Sequence, residues 1–281
     1  MAHASFYQRR PRGFTIVELV MVIAILGVIG AVVSVFMKNP IDAYFASGRR
    51  AGLTDVADTT MRRVARDVRR ALPNTIRTLA TAGANQCLEF IPTKTGGRYR
   101  SDGTAGSLDF ASTSGATSFN MLGKNSLLPL DQQIATGDLI AVYNLGISGS
   151  DAYNQDNTTA VNTAPVESGV PTETTINIVA KKFPLESGSK RFHVIPSAER
   201  VVSYVCSGNT LRRTVNAANF TSACPATGPI IANNVSSCFF DYNSSIDLAR
   251  NAVVRIVLQI QDTSGNETVS LQQEIHVNNT P

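Results

Sequence analysis

The chain has 281 residues and a mass of 30.0 kDa, enough for one large domain or two small ones with a substantial core. Hydrophobic residues make up 43% of the sequence and charged residues 16%, a balance that excludes an intrinsically disordered chain. The net charge of +4 arises within residues 1–77, since residues 78–281 contain thirteen basic and sixteen acidic side chains. The charge therefore does not indicate a nucleic-acid-binding protein.

The first predicted element is a membrane-spanning helix at residues 14–37, in which Glu18 is the only charged residue. A helix of that length, at about 1.5 Å per residue, is long enough to cross the hydrocarbon core of a bilayer. Arg9, Arg10 and Arg12 precede it without an acidic residue, which predicts a cytoplasmic N-terminus. A cleaved secretory signal is the alternative, but the apolar run continues into a helical pattern rather than a small-residue cleavage site.

Glu18 is the residue in this helix that needs an explanation. A carboxylate inside the bilayer costs about 2.5–3.5 kcal/mol on the insertion scale, so a partner or a function is expected for it. The alternative is a carboxylate shallow enough to reach the interface.

The segment Arg12–Leu19, Arg-Gly-Phe-Thr-Ile-Val-Glu-Leu, resembles the class III signal peptide of type IV prepilins and pseudopilins. The resemblance rests on a basic leader, a Gly–Phe junction, a glutamate in the apolar run and a full-length apolar helix. It implies that a prepilin peptidase cleaves after Gly13 and that Phe14 becomes the N-methylated first residue. It also implies that Glu18, the fifth residue of the mature chain, neutralises the N-terminal amine of a neighbouring subunit in a helical filament.

The next predicted element is an amphipathic helix at residues 38–77, with a kink at Pro40 and an end at Pro73. Its apolar residues recur at steps of three and four: Leu53, Val56, Ala57, Met61, Val64, Val68 and Leu72. Its other face is basic: Arg49, Arg50, Arg62, Arg63, Arg66, Arg69, Arg70 and Arg77. This face is either a solvated surface with local ion pairs or a contact surface for neighbouring subunits.

After this helix the pattern changes to strands. The predicted strands are Cys87–Pro92, Ser107–Ala111, Asp138–Asn144, Thr174–Ala180, Arg191–Ile195, Arg200–Cys206, Thr210–Val215, Ser236–Tyr242, Ala252–Gln261 and Thr268–Val277. The last two predict a hairpin with one buried face, and Cys206–Thr210 predicts a second hairpin. The expected fold class is α+β, with one long N-terminal helix packed on a mainly antiparallel sheet.

Residues 144–175 are rich in small polar residues and predict a long exposed loop. The acidic and amide residues within it do not have the spacing of a calcium-binding loop. His193 and His276 are predicted to be half-exposed strand residues. No recognisable catalytic or phosphate-binding motif occurs, so neither an enzyme activity nor a cofactor or metal is expected.

Further segments resemble minor pilins. Arg66–Asn74 is similar to the helix end of J-type minor pseudopilins and their pilus relatives. Other segments are similar to one subgroup, the O minor pilins of the mannose-sensitive hemagglutinin pilus: Cys87–Thr93, Gly97–Arg100, Val202–Cys206, Cys238–Tyr242 and His276–Pro281. This resemblance implies a minor pilin that helps initiate pilus assembly near the tip. The alternatives are a J-type pseudopilin of a type II secretion system, and a membrane-anchored enzyme or adhesin that uses the same signal.

The resemblance also implies an organisation and a set of partners. Residues 1–13 form the leader, 14–37 the membrane and assembly helix, 38–77 the amphipathic helix and 78–281 a periplasmic β-rich domain. The expected partners are the prepilin peptidase, other minor and major pilins and the inner-membrane assembly platform, without nucleic acid. The expected location is the inner membrane of a Gram-negative bacterium and then a surface pilus.

The four cysteines suit an oxidising compartment and allow three pairings. We favour Cys206–Cys224 with Cys87–Cys238, because Cys224 follows the hairpin strand of Cys206 closely and the other two lie in apolar strand-like runs. A pairing of Cys224 with Cys238 is the alternative.

Overall fold

The structure is a computed structural model that describes residues 13–80, 86–168, 172–220, 224–225, 227–242, 251–263 and 267–281. Over these ranges the chain is α+β, with one long N-terminal helix followed by antiparallel sheets, which confirms the predicted fold class. By internal contacts the chain divides into two units, residues 1–51 and residues 52–281.

Helix α1 spans Ile16–Val68 and continues through Pro40 without interruption. In its second half Ala57, Met61, Val64 and Val68 are buried, which confirms the predicted apolar face there. Val56, predicted on the same face, is 44% exposed.

Helix α1 ends at Val68, five residues before the end predicted at Pro73 and nine before residue 77, the limit of the predicted helical segment. Leu72 donates its backbone N–H to the carbonyl of Ile91 at 2.8 Å, and Ala71 forms a β-bridge with Pro92. The chain therefore leaves the helix to pair with a strand, and Leu72 is buried without being helical. Spacing alone could not show this, because a buried leucine one turn after Val68 fits either conformation.

The first sheet has five strands: β1 (Arg77–Ala80), β2 (Gln86–Phe90), β10 (Val201–Ser207), β11 (Thr210–Asn216) and β12 (Ile230–Asn233). They lie side by side in the order β1-β2-β10-β11-β12, and each neighbouring pair is antiparallel. Gly208 and Asn209 join β10 to β11, and Ser207 pairs with Thr210, so the predicted hairpin at Cys206–Thr210 is confirmed.

A second sheet consists of β13 (Val235–Tyr242), β14 (Asn251–Gln261) and β15 (Thr268–Asn278). The hairpin predicted from the alternating apolar residues is the β14–β15 pair, and Val254, Ile256 and Leu258 lie on its buried face. The predicted turn residues 264–266 lie outside the described residues. The second half of α1 and these two sheets share one hydrophobic core.

Between β2 and β10 the chain forms two further sheets with a core of their own. One has the order β3-β9-β5-β6: β3 (Thr95–Arg98), β9 (Arg191–Ile195), β5 (Leu139–Val142) and β6 (Thr158–Ala160). The other has the order β4-β8-β7: β4 (Ala116–Leu122), β8 (Glu173–Lys181) and β7 (Val166–Ser168). A short 3-10 helix, Asn125–Leu127, follows β4. The core of this inserted module comes from residues 99–194.

Two predictions about this region are wrong. Ser107–Ala111 forms no strand, because Asp109 Oδ1 accepts the backbone N–H groups of Ala111 and Ser112 and so forms a turn. Residues 144–175 are not one long exposed loop, since β6, β7 and the start of β8 lie within them. Asn144 and Asn157 are buried there, and their side-chain amides donate to the backbone carbonyls of residues 73 and 142. A polar composition therefore does not require solvent exposure when backbone groups satisfy the side chains.

Candidate functional site

The N-terminal end of α1 is built by a hydrogen-bonded cap. Gly13, Phe14 and Thr15 precede the helix, and Thr15 Oγ1 accepts the backbone N–H of Glu18 at 3.2 Å. Thr15 is therefore the N-cap residue, and it was not among the predicted site residues. A threonine three positions before a glutamate is a sequence signal for such a cap. The cap leaves the Gly13–Phe14 peptide outside the helix, and the Phe14 side chain is 81% exposed.

Glu18 lies in the first turn of α1, where the helix dipole favours a negative charge. Its side chain is exposed, and no basic group among the described residues forms an ion pair with it. The apolar side chains that follow it, up to Met37, are exposed as well. Among the described residues, α1 is the single helix that is long and apolar enough to span a membrane.

The C-terminal end of α1 is held to the body by a polar network around Asp67. Its Oδ2 accepts the hydroxyl of Tyr204 at 2.8 Å and Nε of Arg213 at 2.9 Å, and Arg213 also donates both terminal nitrogens to Glu199 at 2.9–3.0 Å. Burial and the nearby Asp67 carboxylate raise the pKa of Tyr204. Burial lowers the pKa of Arg213, but the bonds to Glu199 and Asp67 outweigh burial and raise it. The sequence carries no signal for this network, because Tyr204 and Arg213 lie 137 and 146 residues from Asp67.

Arg77, predicted on the basic face of the helix, lies instead on β1. It pairs with Glu89, which is 1% exposed and also accepts the hydroxyl of Ser203 at 3.0 Å. The Arg77 guanidinium carbon lies 3.5 Å from the centre of the Tyr153 ring, a cation–π contact. Arg77 and Ser203 therefore satisfy the buried carboxylate of Glu89, on the sheet face that is turned away from α1.

The four cysteines form two disulfides, Cys87–Cys224 and Cys206–Cys238, with Cα–Cα distances of 6.0 and 6.1 Å. The favoured pairing, Cys206–Cys224 with Cys87–Cys238, is wrong, and so is the alternative of Cys224 with Cys238. Cys87 pairs in register with Val205, so Cys206, the next residue along β10, faces the opposite side of the sheet.

The two faces of the sheet decide the partners. Cys87 and Val205 pack with Cys224 and Leu79 on one side. Cys206 and Cys238 pack on the other side, against the core that α1 shares. The two disulfides therefore lie on opposite sides of the first sheet.

Two acidic residues of segment 144–175, whose spacing does not fit a calcium-binding loop, have structural roles. Asp156 Oδ2 accepts the backbone N–H groups of Gly149 and Asp151, and Asp151 Oδ1 accepts that of Tyr153, so both carboxylates cap turns. Within the described part of the chain, no group of three or more His, Cys, Asp or Glu side chains could hold a metal ion.

His193 and His276, which were predicted to be strand residues, both lie on strands. His193 is half-buried on β9, where burial, and to a lesser extent Arg191, lowers its pKa to about 4. His276 is exposed on β15.

Comparison with protein families matches the prokaryotic N-terminal methylation motif at residues 8–34. This motif contains the Gly13–Phe14 junction, Glu18 and most of the exposed apolar part of α1. The chain therefore carries a type IV prepilin-like N-terminal signal. The motif implies processing by a prepilin peptidase and assembly with other pilins, in a bacterial protein anchored by a single membrane span.

The type IV pilin-like motif favours a structural protein over an enzyme. Residues 1–7 and 35–281 lie outside the matched motif. No curated protein and no solved structure matches the chain significantly.

Proposed function

We propose that this chain is a minor pilin of a type IV pilus of the mannose-sensitive hemagglutinin type, which helps initiate the filament and lies near its tip. The observation that carries the proposal is the N-terminal methylation motif, in which an exposed apolar helix presents Glu18 in its first turn without an ionic partner among the described residues. The pilus type rests on the sequence resemblance of the body segments. The J-type pseudopilin is the second candidate, supported by the resemblance of Arg66–Asn74.

The proposed path begins at the inner membrane of a Gram-negative bacterium. The prepilin peptidase removes the leader, residues 1–13, and Phe14 becomes the methylated first residue. Residues 14–37 span the membrane with the N-terminus in the cytoplasm, and helix 38–77 and domain 78–281 lie in the periplasm. The assembly platform then moves the subunit from the membrane into the filament.

Glu18 is the proposed assembly residue. Its carboxylate is costly in a bilayer, and in a filament the positive amine of Phe14 on the subunit above offsets that cost. A subunit at the extreme tip has nothing above it, so a functional Glu18 places this chain just below another minor subunit.

The variant Glu18→Gln removes the charge and keeps the shape. We expect it to insert, to be cleaved after Gly13 and to form both disulfides, but to reduce the number of pili and the recovery of other minor pilins with it. Glu18→Asp, which keeps the charge, is the control. Normal piliation by Glu18→Gln, with an undiminished complex, would show that Glu18 is only a charge near the membrane interface.

Processing and pathway are tested separately. Intact-mass analysis of protein from the native host should show a chain beginning at methylated Phe14, and Gly13→Trp should block cleavage. Deletion of the gene should reduce surface pili and leave exoprotein secretion unchanged. Loss of secretion with normal pili would instead identify the pseudopilin.

A further inference from the structure

An exposed arginine face lies at the end of α1 and in the turn that follows it. Arg62, Arg63 and Arg66 are on the helix, and Arg69 and Arg70 come directly after its last residue, Val68. At 3.6 residues per turn, the three arginines on the helix lie within about a third of its circumference. The opposite side of the same turns is buried in the core of the body. The arginine face is therefore held outward by the packing of the helix.

Little within the chain neutralises these charges. Arg62 pairs with Asp58 at 2.7 Å, but the two side chains are 77% and 48% exposed, so this pair contributes little. The nearest other acid, Asp67, faces the body and is bound by Tyr204 and Arg213. Among the described residues, no carboxylate forms an ion pair with the remaining four arginines of the face.

The arginine face opposes local helix stability. Arginines three or four positions apart on a helix repel one another, and this repulsion destabilises the helix. The helix dipole favours cations in the last turn, which accounts for Arg66 and the residues after it. It does not account for Arg62 and Arg63, one turn earlier. A planar guanidinium matches the geometry of a carboxylate and is weakly hydrated, so arginine suits an interface that is dehydrated on binding.

We propose that the arginine face is a docking surface for a carboxylate-rich helix face of a different pilin subunit. The proposal rests on the proposed function, since it requires neighbouring subunits. A second copy of this chain would bring the same arginines to a helix-to-helix contact, and like charges placed in contact oppose association. The face therefore favours a non-identical neighbour and disfavours self-assembly through this helix, which suits a subunit present in few copies.

The test uses the full chain in its native host, with a photoreactive p-benzoylphenylalanine at Thr59. Thr59 is exposed and lies one helical turn before Arg62 and Arg63, so the arginines stay intact. We expect adducts with another pilin, through a segment that carries Asp or Glu residues. Adducts formed mainly with a second copy of this chain, or with phospholipid, would overturn the proposal.

Charge reversal tests the mechanism. The triple variant Arg63→Glu, Arg66→Glu and Arg69→Glu should reduce adduct yield about tenfold, because three surface charges at several tenths of a kcal/mol each reach the 1.4 kcal/mol of a tenfold change. The matched control changes net charge equally at three exposed sites of the body, with the substitutions Arg98→Glu, Lys182→Glu and Arg191→Glu. The control should keep the wild-type yield.

Two measurements keep the outcome decisive. If the triple-Glu variant does not fold, the corresponding triple-Gln variant replaces it. If it does fold, changing the acidic residues of the cross-linked segment to Lys should restore adducts with the triple-Glu chain. A wild-type chain that is not cleaved after Gly13 and never enters filaments overturns the proposed function. A processed, filament-incorporated chain whose adduct yield ignores charge reversal overturns the arginine proposal alone.

Discussion

The two disulfides lead to a prediction in which the pairing and its energetic contribution are measured together. The double variant Cys87→Ala with Cys224→Ala removes one complete disulfide and leaves the other. The mismatched variant Cys87→Ala with Cys206→Ala removes one partner from each. Its remaining cysteines, Cys224 and Cys238, pack against opposite faces of the first sheet and cannot pair without moving a strand. We therefore expect no free thiol in the first variant and two in the second.

The magnitude follows from the loops that the disulfides close. Cys87 and Cys224 are 137 residues apart, and Cys206 and Cys238 are 32 apart. Chain entropy gives about 5 and about 4 kcal/mol for such loops, and measured disulfides typically contribute about 2–4 kcal/mol. Because the two loops overlap in sequence, the contributions do not add fully. The matched variant should lose about 2–4 kcal/mol of unfolding free energy, and the mismatched variant should lose more.

Urea titration of the full chain in detergent, followed by tyrosine fluorescence, gives the free energies, since tryptophan is absent. Thiol labelling under denaturing conditions gives the thiol counts. A third variant, Cys206→Ala with Cys224→Ala, separates the observed pairing from the one favoured by the sequence. It should contain two free thiols, and a fully oxidised product would refute the assignment of cysteines to sheet faces.

Two further predictions concern the body. Asp67→Ala should lower the unfolding free energy by about 2–3 kcal/mol, because it leaves the Tyr204 hydroxyl and the Arg213 guanidinium without their shared acceptor. The control Asp58→Ala removes an exposed ion pair and should lower the unfolding free energy by less than about 1 kcal/mol in the same urea titration. Folding lowers the pKa of His193 from 6.5 to about 4, so the unfolded chain binds more protons than the folded chain between these pH values. The unfolding free energy should therefore be highest above pH 6.5 and should fall by about 1–3 kcal/mol as the pH drops to 4. His193→Gln should remove this part of the low-pH loss and the exposed control His276→Gln should keep it; equal curves for the two variants would contradict the assignment.

Sequence patterns predicted the parts of this protein that depend on local chemistry. The apolar run with its single glutamate, the basic leader and the Gly–Phe junction identified the N-terminal signal, because membrane insertion and peptidase recognition act on a continuous segment. Strands such as β9 and β14 and the hairpin at Gly208 were predicted because alternation and turn residues are also local properties. The strands β6 and β7 were missed because each is only three residues long, too short for an alternation pattern, and pairing with β5 and β8 determines their place.

What the sequence determined by itself was the membrane helix, the N-terminal signal, the α+β class and the presence of enough cysteines for two disulfides. Tertiary structure decided where α1 ends, because Leu72 leaves the helix to pair with Ile91. It decided the cysteine partners as well, because strand register places adjacent residues on opposite faces of a sheet and the register depends on pairing between β2 and β10, more than a hundred residues apart. Contacts of that range have no local pattern, and only the folded chain brings their two ends together.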